Sequence, residues 1–228
     1  MRKSMSGSIY TMVLTLSLTQ GFHELEPGKR KDILDSVDTS ISGTANGLIH
    51  LKRYRTLRAE SDLMIWTASE DPDTLFSVKE RLSVGYGAYL NPVNLFVSLY
   101  EHSPYLNKGV TLRDTLNMEP LKYFLAYPMS KTPEWYLIPF EERKKIMADH
   151  IGMAASHPES RGIRSFTTYS YGLGDQEFVV MYETDSLTAW SHVTGRLREA
   201  EARKWIVQET PIIVGRYIDH LADILLPD

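Results

Sequence analysis

The chain has 228 residues, of which 43% are hydrophobic and 24% charged, enough apolar material for a sizeable core, and a formal net charge of −4 that argues against a nucleic-acid surface. It contains no cysteine, which excludes disulfides, thiolate catalysis, zinc ribbons and iron–sulfur clusters, so any metal must be held by His, Asp or Glu or arrive inside a cofactor. No apolar run is long enough to span a bilayer, and residues 1–7 lack the apolar core of a signal peptide, so the expectation is a soluble, cytoplasmic protein.

Residues 8–19 alternate small, polar and apolar side chains and read as a strand. Residues 27–42 place Ile33, Val37 and Ile41 four apart, a helical stripe. Residues 48–56 and 62–68 are strand-like, and Asp71-Pro72-Asp73 opens a helix that runs to Leu82, with proline suited to its first turn. A strand over 94–102 completes a β-α-β-β-α-β order. The order then repeats. Residues 121–129 read as a strand, and 139–155 as a helix with Glu141 and Glu142 in its first turn, favourable to the helix dipole. Strands over 163–171 and 177–184 flank the turn-like Gly172-Leu173-Gly174-Asp175, and a helix over 186–205, a strand over 211–216 and a short terminal helix over 217–226 follow. Internal duplication is plausible from this order. The expected fold class is α+β: an N-terminal half (1–104), a linker (105–119) and a C-terminal half (120–228). Each half lays its helices on one sheet face, and the other faces pair into a barrel-like core.

Two ionisable residues fall on apolar helical stripes. His150 shares one with Ile146, Met147, Met153 and Ala154, and Glu201 continues another after Trp190, Val193 and Leu197. A buried imidazole needs a partner, and a metal is one; a buried carboxylate needs one equally. Side-by-side helices would let Glu201 accept a hydrogen bond from His150, leaving the other ring nitrogen as a metal donor. The plainer alternatives are a satisfied structural histidine, a Glu201 paired with Arg198 or Arg203 on the helix surface, a solvated Lys131, and Tyr127 and Trp135 as core or interface aromatics. No histidine pair has zinc-ligand spacing, and no phosphate-binding glycine loop or nucleophile elbow is present.

Tyr127-Pro-Met-Ser-Lys131, Trp135-Tyr136, Glu141-Glu142-Arg143, Met147 and His150 form one ordered set. It continues in Tyr171-Gly-Leu-Gly-Asp-Gln-Glu-Phe178, in Leu197-Arg198 with Glu201, and in Thr210-Pro211. In order and spacing this set resembles the chlorite dismutase family, which includes the coproheme decarboxylases of haem synthesis. The resemblance implies two ferredoxin-like βαββαβ halves forming a dimeric α+β barrel, and a ring-shaped homo-oligomer, commonly a pentamer. It also implies one haem b or iron-coproporphyrin III in the C-terminal half. By motif position it implies that His150 is the proximal iron ligand and Glu201 its hydrogen-bond partner. Trp135 then lies near the proximal face, Met129 at the porphyrin edge, Tyr127 is the radical-forming tyrosine, and Lys131 assists proton delivery. Arg113 and Arg203 are chosen as propionate contacts because guanidinium matches carboxylate geometry. The distal arginine of chlorite dismutases lies seven residues before the strand-turn glycine; counting back from Gly172 reaches Ser165, while Arg164 should point to the opposite strand face. Without a distal cation to hold an anionic oxidant, efficient chlorite chemistry is not expected. The resemblance thus implies peroxide-dependent oxidative decarboxylation of iron-coproporphyrin propionates. The alternatives are a haem-binding carrier or sensor without turnover, a chlorite dismutase or weak peroxidase lacking the distal arginine, and a scaffold that has lost haem.

Overall fold

Strand alternation and two runs of helical periodicity build the N-terminal half of the computed structural model, which describes residues 8–103, 105 and 111–225. This half runs β1 (Ile9–Leu18), α1 (Gln20–His23), α2 (Pro27–Ser42), β2 (His50–Thr56), β3 (Leu63–Ser69), α3 (Pro72–Gly85) and β4 (Leu90–Tyr100). Next come α4 (Leu112–Leu116), β5 (Tyr123–Lys131), α5 (Pro133–Leu137), α6 (Phe140–Ser156), β6 (Arg164–Tyr169), β7 (Phe178–Thr184), α7 (Leu187–Leu197), β8 (Ile206–Gln208) and β9 (Ile213–Ile218). Local chemistry fixes the helix starts. Asp71 accepts from the Asp73 N–H at 3.1 Å ahead of Pro72, and Ser186 accepts from the Ala189 N–H at 3.1 Å.

The first four principal strands lie in the order β4-β1-β3-β2 and the second four in the order β9-β5-β7-β6, all antiparallel. Numbered within each half, both orders are fourth-first-third-second. The edges join crosswise, β2 to β9 over Arg53↔Ile218 to Thr56↔Gly215 and β4 to β6 at Leu99↔Tyr169, and eight strands close into a barrel. β8 pairs with the end of β5.

One face of each strand fills the barrel with Val13, Tyr54, Met64, Trp66, Phe96, Phe124, Phe166, Val179, Met181 and Ile213. Trp66 and Tyr54 both stack on Phe124, with ring centroids 4.5 and 4.9 Å away. Gly215 is required here, because a Cβ would lie 2.7 Å from the Tyr54 Cβ and 2.5 Å from the Met64 Cε. The fully buried Glu183 accepts from Lys52 at 2.9 Å and from Arg164 at 3.0 Å, so the barrel carries a paired ionic group. Arg164 therefore faces the interior, opposite to Ser165, as strand alternation predicts.

The outer faces differ between the halves. In the first, Met12, Leu14, Leu16, Leu63 and Ile65 pack densely against Leu34, Val37 and Ile41 of α2 and Leu75, Val78 and Leu82 of α3. In the second, the buried cluster on the helix side is small: Trp135, Ile146 and Ala202, with Tyr136, Ile138, Met147 and Trp205 around it. Ser165 and Thr167 of β6 are exposed there.

Several elements depart from the sequence reading. The helix expected over 186–205 stops at Leu197 and is followed by a 3-10 turn, Glu201–Trp205, because the break lets Ala200 and Ala202 turn inward and brings Trp205 onto the α6 cluster. The expected linker carries α4, whose Leu116 is buried in the barrel; its residues 106–110 lie outside the described residues, as do residues 1–7. The terminal helix expected over 217–226 is a 3-10 turn, Leu221–Leu225, with Leu226 outside the described residues. This turn packs back on the N-terminal half, where the Leu221 N–H donates to Asp38 at 2.8 Å. Among the described residues no helix is long and apolar enough to cross a membrane.

Candidate porphyrin site

Because Phe124 and Ala126 face the barrel, Leu125, Tyr127, Met129 and Lys131 of β5 face the helices. Lys131 is buried. Its N–H donates to Glu177 at 2.7 Å, and its Nζ lies 4.3 Å from the Trp135 ring centroid and 3.5 Å from the Ala202 carbonyl. Burial, opposed by the Glu209 carboxylate, leaves the ammonium titrating at about 8 rather than 10.5. The Tyr136 hydroxyl donates to the same Glu177 oxygen at 2.6 Å and meets Tyr171 at 3.1 Å.

His150 stands on α6, half-buried, next to the cluster that holds Ile146 and Met147. Its Nδ1 is buried and makes no hydrogen bond. Burial, then the Lys131 charge, pushes the imidazole below its ordinary 6.5. The ring is therefore uncharged at neutral pH and offers a lone pair. Burial and the neighbouring Tyr182 push the Tyr127 phenol well above 10, so it stays protonated. Glu209 accepts from Arg198 at 2.9 Å and also pairs with Arg203. The charge of this triad reaches the site: Glu209 acts on Tyr127, Lys131 and His150, Arg203 on Lys131 and His150, and Arg198 on Tyr127.

The structure thus brings Tyr127, Lys131, Trp135, His150 and Arg203 to one side of the C-terminal sheet, with Met129 between Tyr127 and Lys131. Ser165 lies opposite Tyr182 in the β6–β7 register. Two expected placements are corrected. Glu201 is exposed and accepts from Lys204 at 3.0 Å; the hydrogen bond expected between it and His150 is not made, because α7 ends before the stripe reaches Glu201. Arg113, on α4, pairs with the exposed Glu70 at 2.8 Å and is not part of the cluster around His150. Glu177, Glu209, Arg198 and Tyr182 were not singled out as site residues. Glu177 sits inside the Tyr171–Phe178 motif and Tyr182 is in phase with the helix-facing side of β7, signals that could have found both.

Among the described residues no three His, Asp or Glu side chains cluster to hold a metal ion. A lone uncharged imidazole holds iron firmly where the metal brings its other ligands with it, as in a porphyrin. The unpartnered buried nitrogen of His150, the sparsely packed sheet face and the flanking guanidinium groups fit an iron porphyrin bearing carboxylates.

The chlorite dismutase family profile matches residues 30–218. A coproheme decarboxylase of Mycolicibacterium smegmatis is 30% identical over 191 residues, covering 82% of this chain and 81% of the relative. One from Staphylococcus carnosus is 29% identical over 188 residues, covering 75% and 70%. Among solved structures, a protein provisionally named chlorite dismutase TA0507 superposes with a TM-score of 0.88 at 45% identity, over 96% of this chain and 98% of the other. A haem-binding protein from Thermus thermophilus shares the fold, with a TM-score of 0.80 at 18% identity over 93% and 92%. The chain belongs to the chlorite dismutase family.

Proposed function

We propose that the chain binds an iron porphyrin against the helix-facing side of the C-terminal sheet and acts as a peroxide-dependent coproheme decarboxylase. The observation that carries this reading is the uncharged His150, with its unpartnered nitrogen, on the same side of the sheet as a buried tyrosine and a buried lysine. The two coproheme decarboxylases among its relatives support it. When bound, iron-coproporphyrin supplies one-electron oxidising power on reaction with peroxide, and its propionates are the groups to be decarboxylated.

His150 holds the iron. Tyr127 is a neutral phenol, so its oxidation releases a proton together with the electron. Lys131, titrating at about 8, is divided between ammonium and amine near neutral pH and can both give and recover a proton. Arg198 and Arg203 share one carboxylate, Glu209, which leaves one positive charge for a propionate. Trp135 and Met129 supply apolar surface. The shared strand order of the two halves supports a duplication of ferredoxin-like units, with the porphyrin confined to the second. Exposed Leu137, Phe140, Tyr171 and Leu173 give that half apolar surface for a homo-oligomeric ring.

The test mixes purified protein with iron-coproporphyrin and hydrogen peroxide and follows porphyrin mass. Stepwise loss of carbon dioxide is expected, and Tyr127→Phe abolishes it. His150→Ala changes the axial-ligand absorption bands of the bound porphyrin; an unchanged spectrum removes His150 as ligand. Ser165, small and uncharged on the exposed face of β6, favours a second reading, a haem-binding protein without turnover. Binding without any change of porphyrin mass selects that reading.

A further inference from the structure

The helix-facing alternation that presents Tyr127 on β5 presents Tyr182 on the adjacent β7. The register pairs Tyr127 with Val180 and Leu125 with Tyr182, so the two tyrosines are diagonal neighbours on one face. Their rings lie within 20° of parallel, with centroids 6.3 Å apart. Ser165, exposed on β6, lies directly opposite Tyr182 in the β6–β7 register. Trp190 of α7 packs on Tyr182 in turn, its ring tilted 44° and its centroid 4.1 Å away. Three oxidisable rings are therefore in sequence, from the tyrosine proposed to carry the radical to a half-buried indole on the outer helix. Neither Tyr182 nor Trp190 has a step in the decarboxylation proposed above.

We propose that Tyr182 and Trp190 form a drain for oxidising equivalents, carrying a radical away from Tyr127 when no propionate consumes it. In the first step the Tyr182 hydroxyl turns toward Tyr127. Its O–H bond breaks and the Tyr127 O–H bond re-forms, so Tyr127 is reduced and Tyr182 becomes the phenoxyl. In the second step Trp190 gives one electron to Tyr182 and releases its indole proton to water. Tyr182 recovers a proton through Ser165, which is exposed to solvent. The initial oxidant is peroxide acting through the bound porphyrin, and to that extent the role rests on the proposed function. The electron exchange among the three rings does not, because it needs only the folded chain.

The test begins with porphyrin-free protein oxidised by azidyl radicals, which form phenoxyl and indolyl radicals alike, in a pulse-radiolysis cell. A first-order decay of phenoxyl absorption with matching growth of indolyl absorption is expected, at a rate independent of protein concentration; the reverse change overturns the drain. This phase should disappear in Trp190→Phe and slow at least about tenfold in Tyr182→Phe, with near-ultraviolet dichroism confirming that both variants remain folded. An unchanged phase in Tyr182→Phe overturns the drain. In the porphyrin-loaded protein given peroxide, Tyr182→Phe should lengthen the life of the Tyr127 phenoxyl signal in electron paramagnetic resonance; a shorter or unaltered life also overturns it. Failure of decarboxylation with the porphyrin-free phase intact would count against the proposed function alone.

Discussion

Lys131→Met sets stability against function at one residue. The Lys131 side chain is 8% exposed, and its ammonium titrates at about 8 because burial disfavours the charge. A fall from 10.5 to about 8 corresponds to roughly 3 kcal/mol, at about 1.4 kcal/mol per pH unit. The Trp135 face, 4.3 Å from the Nζ, returns some of this, about 0.5–2 kcal/mol for a desolvated cation over indole. Methionine keeps the unbranched stem without the charge, so the variant should be more stable by about 1–3 kcal/mol near pH 7. The sign with pH follows from the direction of the shift. Below about 8 both folded and unfolded chains carry the proton, and the full cost of burying it is present. Between about 8 and 10.5 the folded chain has lost the proton while the unfolded chain still binds it, so wild-type stability rises with pH through this window. Urea unfolding of the porphyrin-free proteins should therefore show the advantage of Lys131→Met shrinking toward zero as pH approaches 10.5. The same variant should lose decarboxylation. A variant less stable than wild type near neutral pH, or a difference that does not change with pH, refutes the reasoning.

Gly215→Ala should cost about 1–3 kcal/mol, because the added methyl group meets Tyr54 Cβ at 2.7 Å inside a packed barrel; the thermal midpoint measures it. Glu177→Gln keeps an oxygen that can accept from Lys131 N–H and the Tyr136 hydroxyl but removes the charge, so the loss should be near 1 kcal/mol. Burial first, then the hydrogen bond to Glu177, holds the Tyr136 phenol above its ordinary 10. Ultraviolet titration of Glu177→Gln should therefore show one tyrosine ionising at lower pH than in wild type.

The parts of the fold that were legible are those governed by local periodicity. α2 spans Pro27–Ser42 as its four-residue apolar spacing and leading proline require, and β1 lies within one residue of the alternating stretch at each end. The barrel was legible from element order, since two repeats of one order leave two free sheet faces to bury. The end of α7 was not. Nothing at residues 198–200 breaks a helix by itself, because Arg, Glu and Ala are all good helix formers. The chain turns there because Ala200 and Ala202 are buried and Trp205 meets Trp135, ring centroids 5.4 Å apart. The placement of Glu201 depended on that helix continuing, and failed with it. Glu209 was illegible for a different reason: it acquires a role only because the chain folds back to set it between Arg198 and Arg203. Tyr182 was visible as a strand residue, but its position beside Tyr127 follows from the β5–β7 register, a long-range pairing that no local pattern encodes.

One strand order, used twice, has been packed to different ends. The helix-facing side of the N-terminal sheet carries Met12, Leu14 and Leu16 on β1 and Leu63 and Ile65 on β3, and two helices close over it with interlocking aliphatic side chains. The topologically equivalent strands of the C-terminal half carry Tyr127, Met129 and Lys131 on β5 and Tyr182 on β7. At about 25 cal/mol per Å² of apolar surface, leaving such a face short of aliphatic partners forgoes several kcal/mol of burial. The C-terminal helices make their contacts mainly with each other and with the 3-10 turns Pro158–Ser160 and Glu201–Trp205. A broad apolar ligand placed on this face would restore the missing burial, while His150 and the Arg198–Glu209–Arg203 triad supply the few polar contacts that orient it. On the proposed function, the polar side chains that thin the second core are the same ones that would orient the porphyrin, whereas the first half is filled with aliphatic side chains and closed by the C-terminal turn.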